Sequence, residues 1–587
     1  MRWRRVASVL VLTTFISGVP PVATAAPTAD PVCANSCDGL DPSRAQRETF
    51  PVPEKRINGR RVVLHVSDPD AMAWASIDDG RPGDKVWLDR SWDGGRTWDG
   101  LLGLASIPGP WTGTRTLMFN RADPVRHRRG LLRACGDANG VTCTDWLHPV
   151  VCAQFCDGRD AALADNPVSP VPTASIRGRT VTLHTDRAGL AFASLSGRRT
   201  GDEVWLDRSW DEGRTWPDGG SLGRTTTGRT TMVNVSDPAA RLYGGAVRAC
   251  GRAAEGQEGA CTAWARPAQD RVGAAGDALL WWYDPHQAWW RYSWWNSAVT
   301  THALIDSGRY PWLADRVFET NKGPFPAGQR GTDPIEGNFI SRAVDDAGWW
   351  GLAWLAAYRQ TGQRKYLDSA RGIAEYMHGF WDTTTCGGGV WWDRERTYKN
   401  AVTTGLYLRL SAELGDATWL ARARTGWDWF ERSGMVNADG LVNDGLHQCR
   451  NNGQTVWSYN QGLALGTATI LWRTTGERRY LDSARRLATA ATTRPELTVN
   501  GVLTESCDQP GRSCDDNQRQ FKGIFLRYYA EYARATGSGG DYLTRQTTSL
   551  WTTARDPLNH LGQRWAGGAP DGNWRSHASA FAALVAH

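Results

Sequence analysis

Two textures of hydrophobic and polar positions divide the chain. Up to about residue 270, apolar residues alternate with polar ones in short runs such as RRVVLHVS and RTVTLHT, separated by Gly, Pro and Asp clusters. Period-two alternation between turn residues predicts strands, one face buried and one wet. Beyond residue 270 the apolar stretches are longer and helical in spacing, as in AWLAAYRQT and LYLRLSAEL. A pattern Gly-x-x-x-(Tyr/Trp)-Leu-x-x-Ala starts at Gly308, Gly362, Gly415, Gly476 and, less regularly, Gly537, in steps of 54, 53, 61 and 61 residues. Each unit reads as a helical hairpin, and a helix pair that cannot bury its apolar face alone stacks on its neighbours. Five to six such pairs fit an (α/α)6 toroid, although the chain stops at ASAFAALVAH, one helix short of twelve on this reading.

The strand-rich half is duplicated. CANSCDG recurs as CAQFCDG, VWLDRSWDGGRTW as VWLDRSWDEGRTW, RTLMFN as RTTMVN and RACG as RACG, at offsets of 114 to 119 residues. The chain therefore divides into two small all-β domains, 26–150 and 151–270, and an all-α domain, 271–587. Ser91 to Trp98 and Ser209 to Trp216 resemble the Asp-box hairpin of sialidases and other β-propeller proteins. The Asp side chain can bond the backbone of a tight turn, Gly supplies an unusual dihedral and Trp clamps the hairpin, so the motif reads as a turn stabiliser. One copy per domain is too few for propeller blades, and a sialidase assignment is unsupported. A carbohydrate-binding or wall-associating module and a plain spacer both remain open for these domains.

Composition narrows the partner. The 587 residues carry a net charge of +6, which falls to +3 if Arg2, Arg4 and Arg5 are removed. No basic field is left to attract nucleic acid. Those arginines, the 14-residue apolar run Val6 to Val19 and Ala23-Thr24-Ala25 form a secretory signal cut after Ala25. The run is too short to span a bilayer, and Arg4-Arg5 lacks the residues that usually surround a twin-arginine signal. A secreted, extracellular protein is expected, without an anchor or sorting motif. Twelve cysteines fit disulfides in an oxidising compartment. Local spacing suggests Cys33/Cys37, Cys135/Cys143, Cys152/Cys156, Cys250/Cys261 and Cys507/Cys514, with Cys386 and Cys449 left as a longer-range pair. The Cys-x3-Cys pairs have no neighbouring His, so neither a metal nor a cofactor is expected. Thirty-two tryptophans are far above ordinary usage. Indole faces stack on sugars, which makes carbohydrate the leading partner.

Between the helical hairpins lie connections rich in Trp, Tyr, Asn, Gln and carboxylates: YSWWNSAV, AVDDAGWW, GGGVWWDRERTYKNA, QTVWSYNQG and TESCDQPGRSCDDNQRQFKGIF. They should converge on one face of the toroid and line a cleft. Within them Asp345 and Asp346 begin a helix expected from about Asp345 to Thr361. Carboxylates at a helix start are commonly caps. Here they border Trp349, Trp350 and Trp354, a partly desolvated setting in which crowded like charges raise one pKa and separate an acid from an anion. Retaining glycosidases need two carboxyl groups about 5–5.5 Å apart, a reach open to neighbouring residues whose α-carbons are about 3.8 Å apart. The magnesium-binding Asp motif of terpene-forming enzymes does not fit, because Ala347, Gly348 and Trp349 follow the pair.

From about residue 275 the chain resembles glycoside hydrolase family 76, the endo-α-1,6-mannanases with an (α/α)6 fold. The likeness rests on VDDAGWWGLAWLAAY, GGGVWWDRERTYKNAVTTGLYLRL, TVWSYNQGLALG and GVLTESCD…CDDNQRQFKGIFLRYYAEY, in that order. It implies Asp345 as the nucleophile that forms a mannosyl ester, and Asp346 as the general acid and then base. Trp349, Trp350, Trp391 and Trp392 become candidate stacking platforms. Tyr398, Lys399, Asn400, Tyr459, Asn460 and Gln461 become candidate partners of sugar hydroxyls, and Asp515, Gln518 and Lys522 candidates beside the Cys507/Cys514 loop. The expected partner is α-1,6-linked mannan or its oligosaccharides, with cell-wall glycan contact through the β domains. Two other readings stay open: an α-mannan transglycosylase, and a non-catalytic mannan or cell-wall binding protein.

Overall fold

The computed structural model describes residues 38–587 except 46–47, 49, 51, 68–71, 93–94, 124–127, 148–160, 217–218, 236–241 and 257. The signal segment and the pairs Cys33/Cys37 and Cys152/Cys156 lie outside the described residues. The chain forms two compact units, Met1–Val150 and Val151–His587. Among the described residues no helix is long and apolar enough to cross a membrane.

Each β repeat is a pair of antiparallel sheets closed over an apolar core. In the first, Lys55–Ile57, Arg60–Ser67, Met72–Asp78 and Thr114–Arg115 face a sheet of Val141–Cys143, Leu131–Asp137, Lys85–Ser91 and Asp99–Ser106. Their inward residues, among them Val62, Leu64, Ile77, Leu88 and Leu132, make the core. The second repeat follows the same strand plan with its core on Val181, Leu183, Leu206 and Val247. Cys135–Cys143 and Cys250–Cys261 staple corresponding strand pairs, each with α-carbons 4.0 Å apart. In the second repeat the Asp211 carboxylate accepts the Thr215 N–H (2.7 Å) and hydroxyl (2.6 Å), closing the Asp-box turn. The last tryptophan of each motif has an arginine against it, although Trp98 stays half exposed. Arg133 lies between Trp98 and Trp146, at 4.9 and 4.3 Å, and Arg248 between Trp216 and Trp264, at 4.5 and 4.7 Å.

The helical part contains twelve α-helices: α1 Arg271–Leu279, α2 Trp294–Asp306, α3 Leu313–Asn321, α4 Val344–Thr361, α5 Arg364–His378, α6 Ala401–Leu414, α7 Ala417–Arg432, α8 Ser458–Thr475, α9 Arg478–Thr493, α10 Phe521–Thr536, α11 Gly540–Thr553 and α12 Trp574–Ala586. The even-numbered helices pack in sequence, α2 on α4 and onward to α12, which returns to α2 and closes an inner ring. The odd-numbered helices lie outside, each beside the inner helix before it, with α1 beside α12. The sequence count fell one short because α1 precedes the first repeat glycine.

That glycine follows five of the six inner helices, α2, α4, α6, α8 and α10. Gly308, Gly362, Gly415, Gly476 and Gly537 have φ of 66°, 70°, 73°, 72° and 68°, the left-handed conformation that reverses a chain after a helix and strains any residue with a Cβ. The aromatic residue four positions on then wedges the outer helix against the ring: Tyr366 is fully buried and stacks on Trp354 with centroids 5.7 Å apart. Inner helices approach closely through small residues. A Cβ at Gly462 would lie 2.7 Å from the Phe525 Cα, and one at Gly523 would lie 2.3 Å from the Ser579 carbonyl oxygen.

The second β repeat is seated on the toroid. Arg266 donates its backbone N–H to Pro557 O (3.0 Å) and a guanidinium N–H to Leu558 O (2.9 Å), and Asn559 Nδ2 donates to Pro267 O (2.9 Å). Glu212, at the tip of the Asp-box turn, pairs with His560 Nε2 at 2.9 Å and with Arg266 at 3.3 Å. Burial pulls the His560 pKa down, but Asp556 and Glu212 outweigh it and the pKa stands raised. The folded joint therefore holds this proton more tightly than the unfolded chain does. Its contribution is complete below the ordinary imidazole range and fades as pH climbs through the raised pKa. Glu212→Gln is expected to lower stability by on the order of 3 kcal/mol and to flatten this part of the pH dependence; thermal melts of the full chain between pH 5 and 9 measure both.

Candidate active site

All six inner helices run the same way, so their N-termini and the loops feeding them meet at one end of the ring. A cleft of about 590 Å³ opens there, lined by the starts of α2, α4, α8 and α10 and by the loops at 331–333, 341–343 and 515–518. All five unusual connections reach this cleft, three of them without touching a neighbouring cavity, while QTVWSYNQG also sends Gln454 to a second one. GGGVWWDRERTYKNA divides: Trp392 lines this cleft, while Trp391 and Tyr398 line that second cavity of about 670 Å³.

Asp345 and Asp346 lie on the cleft lining, both partly exposed, at the second and third positions of α4. The helix starts one residue earlier than the sequence suggested, and the residue at its cap is Ala343, which has no side chain to cap with. Asp345 is held at both oxygens: Oδ1 accepts the Asp346 N–H at 3.0 Å and Oδ2 accepts the Trp392 indole N–H at 3.2 Å. Burial raises the Asp345 pKa to about 7; these two hydrogen bonds oppose the rise and the Asp444 carboxylate adds to it. Asp346 is pushed further above its ordinary value, by burial first and then by the charges of Asp345 and Asp333. The two carboxyl groups titrate together, and burial lifts both above the ordinary carboxylate range. A carboxylate serving only as a cap is drawn down by the helix N–H groups; here burial wins, and the pair is a net cost to the fold.

One wall of the cleft is a run of aromatic rings. Trp349 stacks on Trp295 with centroids 5.7 Å apart, and Tyr459 stacks on Phe521 at 4.0 Å. The Trp295 indole N–H is fixed by Asn517 Oδ1 at 2.9 Å. Asp515 and Gln518 sit on the cleft lining opposite the pair's helix, with Asp515 Oδ1 accepting the N–H groups of Asn517 and Gln518, both at 2.9 Å.

Several expected contacts belong elsewhere. Trp350 is fully buried on the far side of α4, against Trp294, Phe339 and Trp354, because consecutive helical residues point about 100° apart. The Lys399 ammonium is taken up by the carbonyls of Asp382 (2.8 Å), Thr385 (2.5 Å) and Gly388 (2.7 Å) and braces that loop. Asn400 caps α6 by accepting the Thr403 N–H at 3.0 Å. Gln461 is buried and pairs with both backbone groups of Val442, each at 2.7 Å. Asn460 is buried and off the cleft lining. Lys522 is fully buried in an ion pair with Asp508. Trp391 and Tyr398 face the second cavity, where the Tyr398 hydroxyl donates to Asp444 Oδ2 at 2.7 Å. The Cys386–Cys449 and Cys507–Cys514 disulfides are formed, the first on the wall of that cavity.

Sequence reasoning missed Tyr292, Trp295, Asp333, Trp457, Asn517 and Phe521 on the cleft lining, and Asp444 behind Asp345. Tyr292, Trp295, Trp457, Asn517 and Phe521 were inside the quoted connections; Asp333 and Asp444 carried no local signal. Asp345→Asn or Asp346→Asn is expected to leave the fold intact and raise its stability at pH 7–8 by on the order of 1–2 kcal/mol. The sign follows from the raised pKa values: the unfolded chain loses these protons first, so wild-type stability drops as pH rises from about 4 toward the folded values. Melts against pH measure this. Carboxyl NMR titration should show the Asp345 pKa moving up in Trp392→Phe and down in Asp444→Asn.

Residues 276–587 match the model of glycosyl hydrolase family 76. Among curated proteins, a Candida albicans protein called mannan endo-1,6-alpha-mannosidase DCW1 is 30% identical over 270 residues, covering 41% of this chain and 58% of that one. A second from the same organism, called mannan endo-1,6-alpha-mannosidase DFG5, is 25% identical over 258 residues, covering 40% and 57%. The chain thus spans just under three-fifths of these relatives. Among solved structures, the GH76A alpha-1,6-mannanase from Salegentibacter sp. HEL1_6 is 22% identical, covers 54% of this chain and 97% of its own, and superposes with a TM-score of 0.47. With more than half of its 587 residues inside the family match, the chain belongs to glycosyl hydrolase family 76.

Proposed function

We propose that the protein is an exported glycoside hydrolase that cuts α-1,6-mannosidic bonds within mannan chains and retains anomeric configuration. One observation carries the reading: two adjacent carboxyl groups on the lining of one cleft, the first hydrogen-bonded at both oxygens, where burial raises both above the ordinary carboxylate range. The curated names of the relatives supply the linkage and the polymer.

In this mechanism Asp345 attacks the anomeric carbon. Its carboxylate is aimed by Trp392 and by the Asp346 N–H, and it stands at the positive end of α4, where negative charge is favoured. Asp346 gives its proton to the departing glycosidic oxygen. The carbon–oxygen bond to the leaving sugar breaks as the bond to Asp345 forms, and a mannosyl ester results. Asp346, now an anion, takes a proton from water, which displaces Asp345 and restores both groups. Carboxyl groups on adjacent residues suit the short separation of a retaining mechanism better than the wider one that an inverting mechanism needs for its water. Trp295, Trp392 and Trp457, partly exposed on the cleft lining, suit the apolar faces of pyranose rings.

Debranched α-1,6-mannan should be cut to oligosaccharides whose first-formed reducing ends are α by proton NMR; β ends would sink the retaining mechanism, and products longer than the substrate would make transfer to sugar the main reaction. Asp345→Asn and Asp346→Asn should each lose about 10³-fold or more in kcat/KM. The pH profile should be a bell whose acid limb follows Asp345, near 7 and well above an ordinary carboxylate, and whose basic limb follows Asp346.

A further inference from the structure

The chemistry above leaves one cleft residue unused. Tyr292 stands in the loop before α2, lines the cleft and is 85% exposed. Its φ is 70°, a left-handed conformation that a bulky aromatic residue adopts only when its surroundings enforce it. They do so here. The buried Arg575 guanidinium donates to the Tyr292 carbonyl at 3.2 Å and to Asn296 Oδ1 at 3.2 Å. The Ser297 hydroxyl lies 2.8 Å from Trp290 O and 2.9 Å from Ser293 O, gripping the chain on both sides of the tyrosine. A ring so exposed gives the fold almost no burial, so the strain is not offset by packing.

Its position within the cleft is also fixed. Gly331 packs on Trp294, where an added Cβ would lie 3.4 Å from the Trp294 Cβ, so the 331–333 loop runs beside the Tyr292 segment. Asp345 turns toward Trp392, ahead of α6, whereas the Asp346 face of α4 carries Trp350 one turn on, which packs on Trp294 with ring centroids 4.9 Å apart. The Tyr292 segment is therefore at the Asp346 end, where the proton is given to the departing sugar.

We propose that Tyr292 forms a distal sugar subsite on the leaving-group side of the cleft, where its ring takes the apolar face of a pyranose in the bound chain. The subsite rests on the retaining-hydrolase reading above. It holds the segment that becomes the leaving group, so its effect grows with substrate length on that side and vanishes when the leaving group carries no sugar.

The test compares Tyr292→Gly, Tyr292→Trp and wild type. Glycine removes the ring and accepts the left-handed φ without strain, so this variant should melt no lower than wild type; tryptophan keeps a stacking face. Steady-state kinetics are measured on α-1,6-manno-oligosaccharides of increasing length and on an aryl α-1,6-mannotrioside. The ratio of kcat/KM for the longest oligosaccharide to that for the aryl substrate should fall about 5–10-fold in the glycine variant and recover in the tryptophan variant. A ratio equal to that of wild type, or a loss shared evenly by both substrates, overturns the subsite while leaving the hydrolase reading intact. A wild type that cleaves neither substrate overturns the hydrolase reading and the subsite together.

Discussion

Close approach of six helices within one ring is the constraint on which the rest depends. Backbones as near as those at Gly462 and Phe525, or Gly523 and Ser579, admit no side chain between them. A ring packed that tightly has no room for loops at its centre, and each connection must cross over one end. Because the inner helices are parallel, the longer connections gather at their N-termini, where N–H groups without a helical partner turn to side chains and loops such as Asn400 and Trp392. The cleft and its polarity are products of the packing, and the second β repeat braces the same ring from outside through Arg266 and Asn559.

At that end two opposing effects act on Asp345 and Asp346. The start of α4 favours negative charge, while loss of water disfavours it, and for two groups on neighbouring residues desolvation and mutual repulsion prevail. The result is a division of labour. Trp392 and a backbone N–H stabilise charge on Asp345, whereas the charges of Asp345 and Asp333 discourage it on Asp346. The asymmetry comes from what each group touches, so a chemically symmetric Asp-Asp sequence acquires two unlike electrostatic settings.

Much of this was legible in the sequence, and the failures share a cause. The glycine recurrence and the two β copies are local patterns, and they located the ring and the duplication. The carboxylate pair was legible because its context, tryptophan beside small residues, is also local. Trp350 was misplaced although helical geometry separates it from Trp349 by about 100°. Asn400 is a cap whose partner, the Thr403 N–H, lies only three residues on. Gln461 and Lys522 could not be read at all, since their partners, Val442 and Asp508, are joined to them only by the fold. Asp444 lies almost a hundred residues from Asp345, and no motif announces that it reaches the pair.

The tip of the second Asp-box has a consequence for how the two β copies relate. Glu212 occupies a left-handed backbone position, φ 62°, where the first copy has Gly94 in sequence. A glycine is the undemanding choice for such a turn; the second copy accepts a less comfortable residue there and gains a carboxylate that meets His560. The two copies share a strand plan but have ceased to be exchangeable. Since His560 and Asn559 are made almost three hundred residues after Arg266 and Pro267, the second copy waits through most of synthesis for the segment that completes its joint. Its position in the chain, immediately before the ring that it later helps to close, is part of what the duplication came to specify.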